Sequence, residues 1–163
     1  MLDSMKKVDS VQSNGRLDGV RVAFITPWAY PLFDCRVKNA VGGAERQFYL
    51  FAESLAERGA TPVFIVANPA LSPLSADELQ FPVHFADFSY LGGSKLRMPG
   101  ALLSIWSALE AADADYYLIK LPRHLLLVLA AFCRAKGKKL VFWVQSQQDF
   151  DDTTRHGLDK ITS

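Results

Sequence analysis

The chain has 163 residues, a formal net charge of +1 and a composition that is 50% hydrophobic, which favours one domain with a real core. The near-neutral balance carries no nucleic-acid footprint and no acidic tail. Two cysteines, Cys35 and Cys133, stand far apart without a CxxC or Cys/His set, so a zinc site is not expected and reduced thiols are the simple reading.

Residues 1–19 are polar and aperiodic, lack a signal-peptide pattern and read as a flexible leader. Val20 to Thr26 is a nearly continuous apolar run, the pattern of a strand covered on both faces. A long loop follows and ends in Gly42 and Gly43. A helix is expected from Gly43 to Arg58, with Ala44, Phe48, Phe51 and Leu55 as its apolar stripe and Gly59 as its C-terminal cap. Thr61 to Ala67 is the second strand, Asn68 to Ser75 a Pro- and Ser-rich loop, and Val83 to Phe85 a short third strand.

Pro99 suits the first turn of a second helix running to about Ala112, with Leu102, Ile105, Leu109 and Ala112 on one face. Tyr116 to Leu121 is the fourth strand. Pro122 starts a third helix that reaches Lys136 and is capped by Gly137. Its run from Leu125 to Cys133 is too short to span a bilayer and predicts a deeply buried helix. Lys136, Lys138 and Lys139 read as cations at that helix end. Lys139 to Gln145 is the fifth strand. The order β, α, β, β, α, β, α, β implies an α/β domain with a mainly parallel sheet of about five or more strands and helices on both faces.

In such a sheet, ligands collect at the carboxyl ends of the strands, near the point where strand order reverses. Gly42 and Gly43 sit there, at the start of the first helix, where free backbone N–H groups and the helix dipole favour an anion. The pair serves either the turn alone or a phosphate; Glu45 in the first turn competes for the same electrostatics. No GxxxxGK[ST] or GxGxxG is present. Arg123 and His124, after the fourth strand, either cap the turn or face a ligand as a phosphate partner and an acid–base group. Trp28, Tyr30 and Phe33 either stack on a ligand or fold the first loop onto the domain. Ser146 and Asp149 follow the fifth strand; Asp149 is a candidate base or a solvated loop carboxylate.

The stretch "FITPWAYPLFDCRVKNAVGGAERQFYLFAESLAERGATPVFIVA" resembles the opening of the family 4 GT-B glycosyltransferases, with its GGAE and LAERG elements. The later "YYLIKLPRHLLLVLAAFCRAKGKKLVFWVQSQQDFD" resembles the fourth and fifth strands of the same domain and the helix between them. The resemblance covers about residues 20–150 and implies a Rossmann-like three-layer sandwich, the acceptor-side half of a two-domain enzyme. Such enzymes move a sugar from a nucleotide-sugar donor to an acceptor hydroxyl, without a metal or other cofactor. By that resemblance Gly42 and Gly43 reach the donor phosphates. Trp28, Tyr30, Arg123 and Ser146 would meet the saccharide or lipid-linked acceptor, and Asp149 or His124 the reacting groups. Relatives often carry a histidine just after the fifth strand, where this chain has Ser146 and Asp149.

Residues 151–163 read as a polar tail, and nothing matches a C-terminal donor-binding domain. The chain alone is therefore expected to transfer no sugar, and the isolated domain to self-associate. A cytoplasmic location is expected, with peripheral membrane contact open to members that use lipid acceptors. The alternative is a non-catalytic nucleotide- or ligand-binding module, or an interaction domain.

Overall fold

The computed structural model describes residues 15–37, 41–69, 72–89, 98–120 and 123–143. Five strands form one sheet: β1 (Arg21–Ile25), β2 (Thr61–Ala67), β3 (Val83–Ala86), β4 (Tyr116–Ile119) and β5 (Lys139–Phe142). All are parallel, in the order β3-β2-β1-β4-β5. Three helices cover it: α1 (Gly43–Glu57), α2 (Met98–Ala112) and α3 (Arg123–Lys136). The fold is Rossmann-like.

Side chains alternate across each strand, so the central strands feed two cores. Val22, Phe24, Phe64, Val66 and Leu118 pack with Phe48 and Ala52 of α1 on one face. Ala23, Ile25, Val63, Ile65, Tyr117 and Ile119 pack with Ile105 and Leu109 of α2 and Leu125, Leu129 and Phe132 of α3 on the other. This is the three-layer arrangement that right-handed crossovers demand. The chain moves outward one way from β1 to β2, and the other way from β3 to β4 to β5, so the connecting helices lie on opposite faces.

Helix ends follow the sequence signals. Gly59 and Gly137 take φ of 90° and 65° just past α1 and α3, a left-handed conformation that glycine adopts without Cβ strain. Asp113 closes α2 with φ of 40°, and Tyr117 braces that end. Its hydroxyl donates to the Leu109 carbonyl at 2.8 Å and accepts from the Ala114 N–H at 3.0 Å. The three lysines do sit at the α3 end. Lys136 pairs with Glu110 at 2.6 Å and Lys138 with Asp113 at 2.9 Å, tying α3 to α2. Lys139 opens β5 and donates to Tyr116.

Two expectations need correction. The α1 stripe centres on Phe48 and Ala52, and Phe51 is turned partly to solvent at its flank, in ring contact with Phe24 and Trp143. Helix α3 is buried on one side only: Leu125, Leu129, Phe132 and Cys133 face the core while Leu127 is 70% exposed. An unbroken apolar run says nothing about facing; the 3.6-residue turn sends its middle outward whenever one side lacks a neighbour. Two short 3-10 turns, Tyr30–Leu32 and Ala76–Glu78, add detail to the loops. Among the described residues, no helix is long and apolar enough to cross a membrane.

Candidate functional site

Strand order reverses between β1 and β4, which places the ligand crevice of an open parallel sheet outside the carboxyl ends of those two strands. A small recess of about 10 Å³ lies there. It is lined by Ile25, Thr26 and Pro27 from the end of β1, Ala44, Glu45 and Phe48 from α1, and Lys120 just past β4. Its size is that of about one water molecule.

Helix α1 begins at the rim of this recess. Gly42 is its N-cap, with φ −70° and ψ 164°, and Gly43 its first residue. The first intrahelical bond runs from the Arg46 N–H to the Gly42 carbonyl at 3.3 Å. The N–H groups of Gly43, Ala44 and Glu45 precede it and carry the positive end of the dipole.

Neither glycine takes a backbone conformation that requires glycine. What each lacks is a side chain, and the space in front of them differs. A Cβ on Gly43 would meet nothing within 4 Å, whereas one on Gly42 would collide with Glu45 Oε2. Both are solvent-exposed. The helix start is thus open at Gly43 and shaded by the protein's own carboxylate at Gly42.

Thr26 adds a second feature. Its side chain is 4% exposed, and Oγ1 has no hydrogen-bond partner among the described residues. A buried hydroxyl without a partner is costly, and here it belongs to a residue lining the recess beside Lys120.

The first-loop aromatics separate. Trp28 is 54% exposed, whereas Tyr30 is 3% exposed. The Tyr30 hydroxyl donates to Asp34 Oδ2 at 3.3 Å and accepts from the Leu74 N–H at 3.0 Å, and its ring lies edge-on to Phe85. Phe33 packs edge-on against Phe64. Tyr30 and Phe33 thus pin the loop to the sheet.

Asp34, 2% exposed, anchors the same loop. Its carboxylate accepts from Arg36 Nε at 2.9 Å and Nη2 at 2.7 Å, and from the Arg36 N–H at 3.0 Å. The Arg36 side-chain bonds, opposed by burial, hold its pKa down to about 2. Arg36 also reaches the Ser72 carbonyl at 3.2 Å, so the loop is tied to the β2–β3 connection.

A second, larger cleft of about 500 Å³ opens beside the recess. Trp28, Ala67, Asn68, Ala86, Asp87, Phe88 and Ser89 line it, all at or just past the ends of β1, β2 and β3. Asn68, Asp87, Ser89, Thr26 and Lys120 were not anticipated from sequence. A signal existed: each of them except Ser89 is the first residue beyond an apolar strand.

Arg123 and His124 open α3, beyond the carboxyl end of β4 and therefore on the ligand edge. Ser146 and Asp149 lie outside the described residues. Cys133 is buried, which raises its thiol pKa, and Cys35 is exposed. No group of three or more His, Cys, Asp or Glu gathers among the described residues to hold a metal ion.

Comparison with family models, curated proteins and solved structures finds no match for this chain. The fold class therefore stands on the sheet itself, and any activity on the chemistry of the ligand edge.

Proposed function

We infer that this chain is the acceptor-side domain of a glycosyltransferase, which receives the phosphates of a nucleotide-sugar donor at the start of α1. The observation that carries the reading is the open approach at Gly43. The backbone does not need a glycine there, the residue is exposed, and the strand order reverses beside it. Lys120 puts a cation in the lining, and Thr26 a buried hydroxyl. Together they suit an anionic oxygen better than an apolar group. The GGAE and LAERG resemblance supplies the sugar chemistry, which phosphate recognition by itself does not specify.

In this reading the domain binds and orients. The first-turn N–H groups and Lys120 offset negative charge on the donor's leaving phosphates as the sugar departs, which is where such donors lower a barrier. The cleft beside Trp28 holds the acceptor in line. Arg123 and His124 stand on the same edge, within the segment that carries the family resemblance.

The test is a titration of the ¹⁵N-labelled chain with uridine diphosphate, a uridine diphosphate sugar, inorganic phosphate and uridine. The phosphate-bearing ligands are expected to shift the amides of Gly43, Ala44, Glu45 and Lys120, and uridine is expected to leave them in place. Unmoved amides, or shifts driven by uridine alone, would refute the reading.

A further inference from the structure

We propose that the outer face of α2 and α3 is a docking surface for a second copy of this chain, paired face to face about a two-fold axis with the helices antiparallel. The inference is independent of the sugar-transfer reading. The face lies on the other side of the sheet from α1, so pairing leaves the start of α1 open.

The face is apolar where a surface helix is ordinarily charged. Neither helix carries a charged residue from Pro99 to Leu109 or from Leu125 to Cys133. The exposed positions are instead Leu103, Ser107 and Ala111 on α2, and Leu127, Ala130 and Ala131 on α3. Helix α1, by contrast, turns Arg46 and Glu57 to solvent. Leu103 at 72% and Leu127 at 70% are the most exposed large apolar side chains among the described residues. A groove of about 630 Å³ runs between the two helices, with Trp106 and Val128 in its lining. Contiguous exposed apolar surface of this kind marks an interaction site.

Three properties fit the face to a copy of itself. First, it is preformed. Trp106 lies edge-on to Phe132 at 5.0 Å between centroids, and Lys136 pairs with Glu110 at 2.6 Å, so α2 and α3 hold one surface. Helices pack by seating ridges in grooves, and this surface offers both: the two protruding leucines and the groove between their helices. Second, its charge is self-complementary. Both helices return across a parallel sheet, so they run in the same direction and their dipoles point the same way. Antiparallel pairing sets the positive ends of one copy over the negative ends of the other. Third, the area suits a weak dimer. The 15 residues of α2 run about 22 Å. Two adjacent helices span about 20 Å, which gives a flat footprint of about 450 Å². Ridges raise the accessible surface above that, towards the roughly 600 Å² per partner at the lower bound for a stable interface.

The experiment is sedimentation equilibrium of the full chain from roughly 10 to 500 μM, with a dimer Kd of about 10–100 μM expected. The average mass should rise from 18.1 kDa towards twice that value. Leu103→Glu and Leu127→Glu are each expected to weaken association by about tenfold or more, because a two-fold axis enters every substitution twice. Both side chains are exposed, so the melting temperature should hold. Leu50→Glu, at a 63% exposed leucine on α1, is the control and should leave association unchanged. A ¹⁵N dilution series of the unaltered chain reads the same face without substitution. The amides of Leu103, Ser107, Leu127 and Ala131 should move with concentration while that of Gly43 stays in place. Phosphatidylcholine–phosphatidylglycerol vesicles, sedimented with the chain, probe a lipid as the occupant.

A concentration-dependent mass that both glutamates abolish and Leu50→Glu does not would support the inference. A chain that stays monomeric up to roughly 500 μM would overturn it, and so would association that survives both glutamates or falls equally with Leu50→Glu. A monomer that sediments with vesicles, and loses them in Leu103→Glu, would also overturn it and give the face to a lipid surface.

Discussion

Gly43 carries a conformational cost that its backbone does not demand. A helical glycine is less stable than alanine by about 0.5–1 kcal/mol in a helix interior, and by less in the first turn. Nothing within 4 Å would obstruct a methyl group there. Gly43→Ala is therefore predicted to hold or slightly raise the melting temperature while weakening uridine diphosphate binding, read by calorimetric titration. A purely structural glycine would give unchanged binding. Asp34 shows the opposite economy, a side chain committed wholly to the fold. Its pKa of about 2 lies below the ordinary carboxylate value of 3.8. Its contribution is complete above that ordinary value and is lost as pH falls through about 2. Glu78, Glu110 and Asp113 are shifted in the same direction by their own partners, Ser75, Lys136 and Lys138. Thermal melts should therefore drop between about pH 4 and pH 2. Asp34→Asn should melt lower at neutral pH and fall less steeply across that window.

At the scale of elements, the joint between α2 and β4 depends on one hydroxyl. Tyr117 is fully buried; its hydroxyl accepts from the Ala114 N–H and donates to the Leu109 carbonyl, which also accepts from the Asp113 N–H at 3.3 Å, where the helix turns into the strand. Tyr117→Phe leaves both backbone groups without that partner and is predicted to cost about 1–3 kcal/mol, measured by urea denaturation with an unchanged m value. A loss near zero would show that water replaces the hydroxyl. Much of this layer was legible in sequence. Pro99 and the glycines at 59 and 137 marked helix ends because their backbone restrictions act locally, whatever the tertiary context. β2 is found from Thr61 to Ala67, as its apolar run and flanking signals predict. Facing was less legible. The run from Leu125 to Cys133 does not reveal that only one side of α3 meets a neighbour. That depends on α2 and the sheet, which are distant in sequence. The site divides in the same way. Gly42 and Gly43 could be singled out because a glycine pair stands directly before a helical stripe, and Trp28 because a large aromatic stands in a loop. Thr26, Asn68, Asp87 and Lys120 are ordinary residues whose meaning comes from the strand register that gathers them at one edge.

For the whole molecule, strand order is the decisive property. The order β3-β2-β1-β4-β5 splits the connections between two faces and leaves a small recess beyond the carboxyl ends of β1 and β4. Both cores draw on β1: Val22 and Phe24 serve one, Ala23 and Ile25 the other. The ligand edge is thus built on the central strand of the sheet, a rigid base for the recess and the cleft. The central claim is that this edge receives donor phosphate at the open start of α1, and a crystal soaked with a uridine diphosphate sugar tests it most directly. The account predicts a diphosphate within hydrogen-bond distance of the Gly43 and Ala44 N–H groups, with Lys120 turned towards it. A diphosphate bound elsewhere, or an edge that stays empty at saturating ligand while Glu45 remains over Gly42, would contradict it.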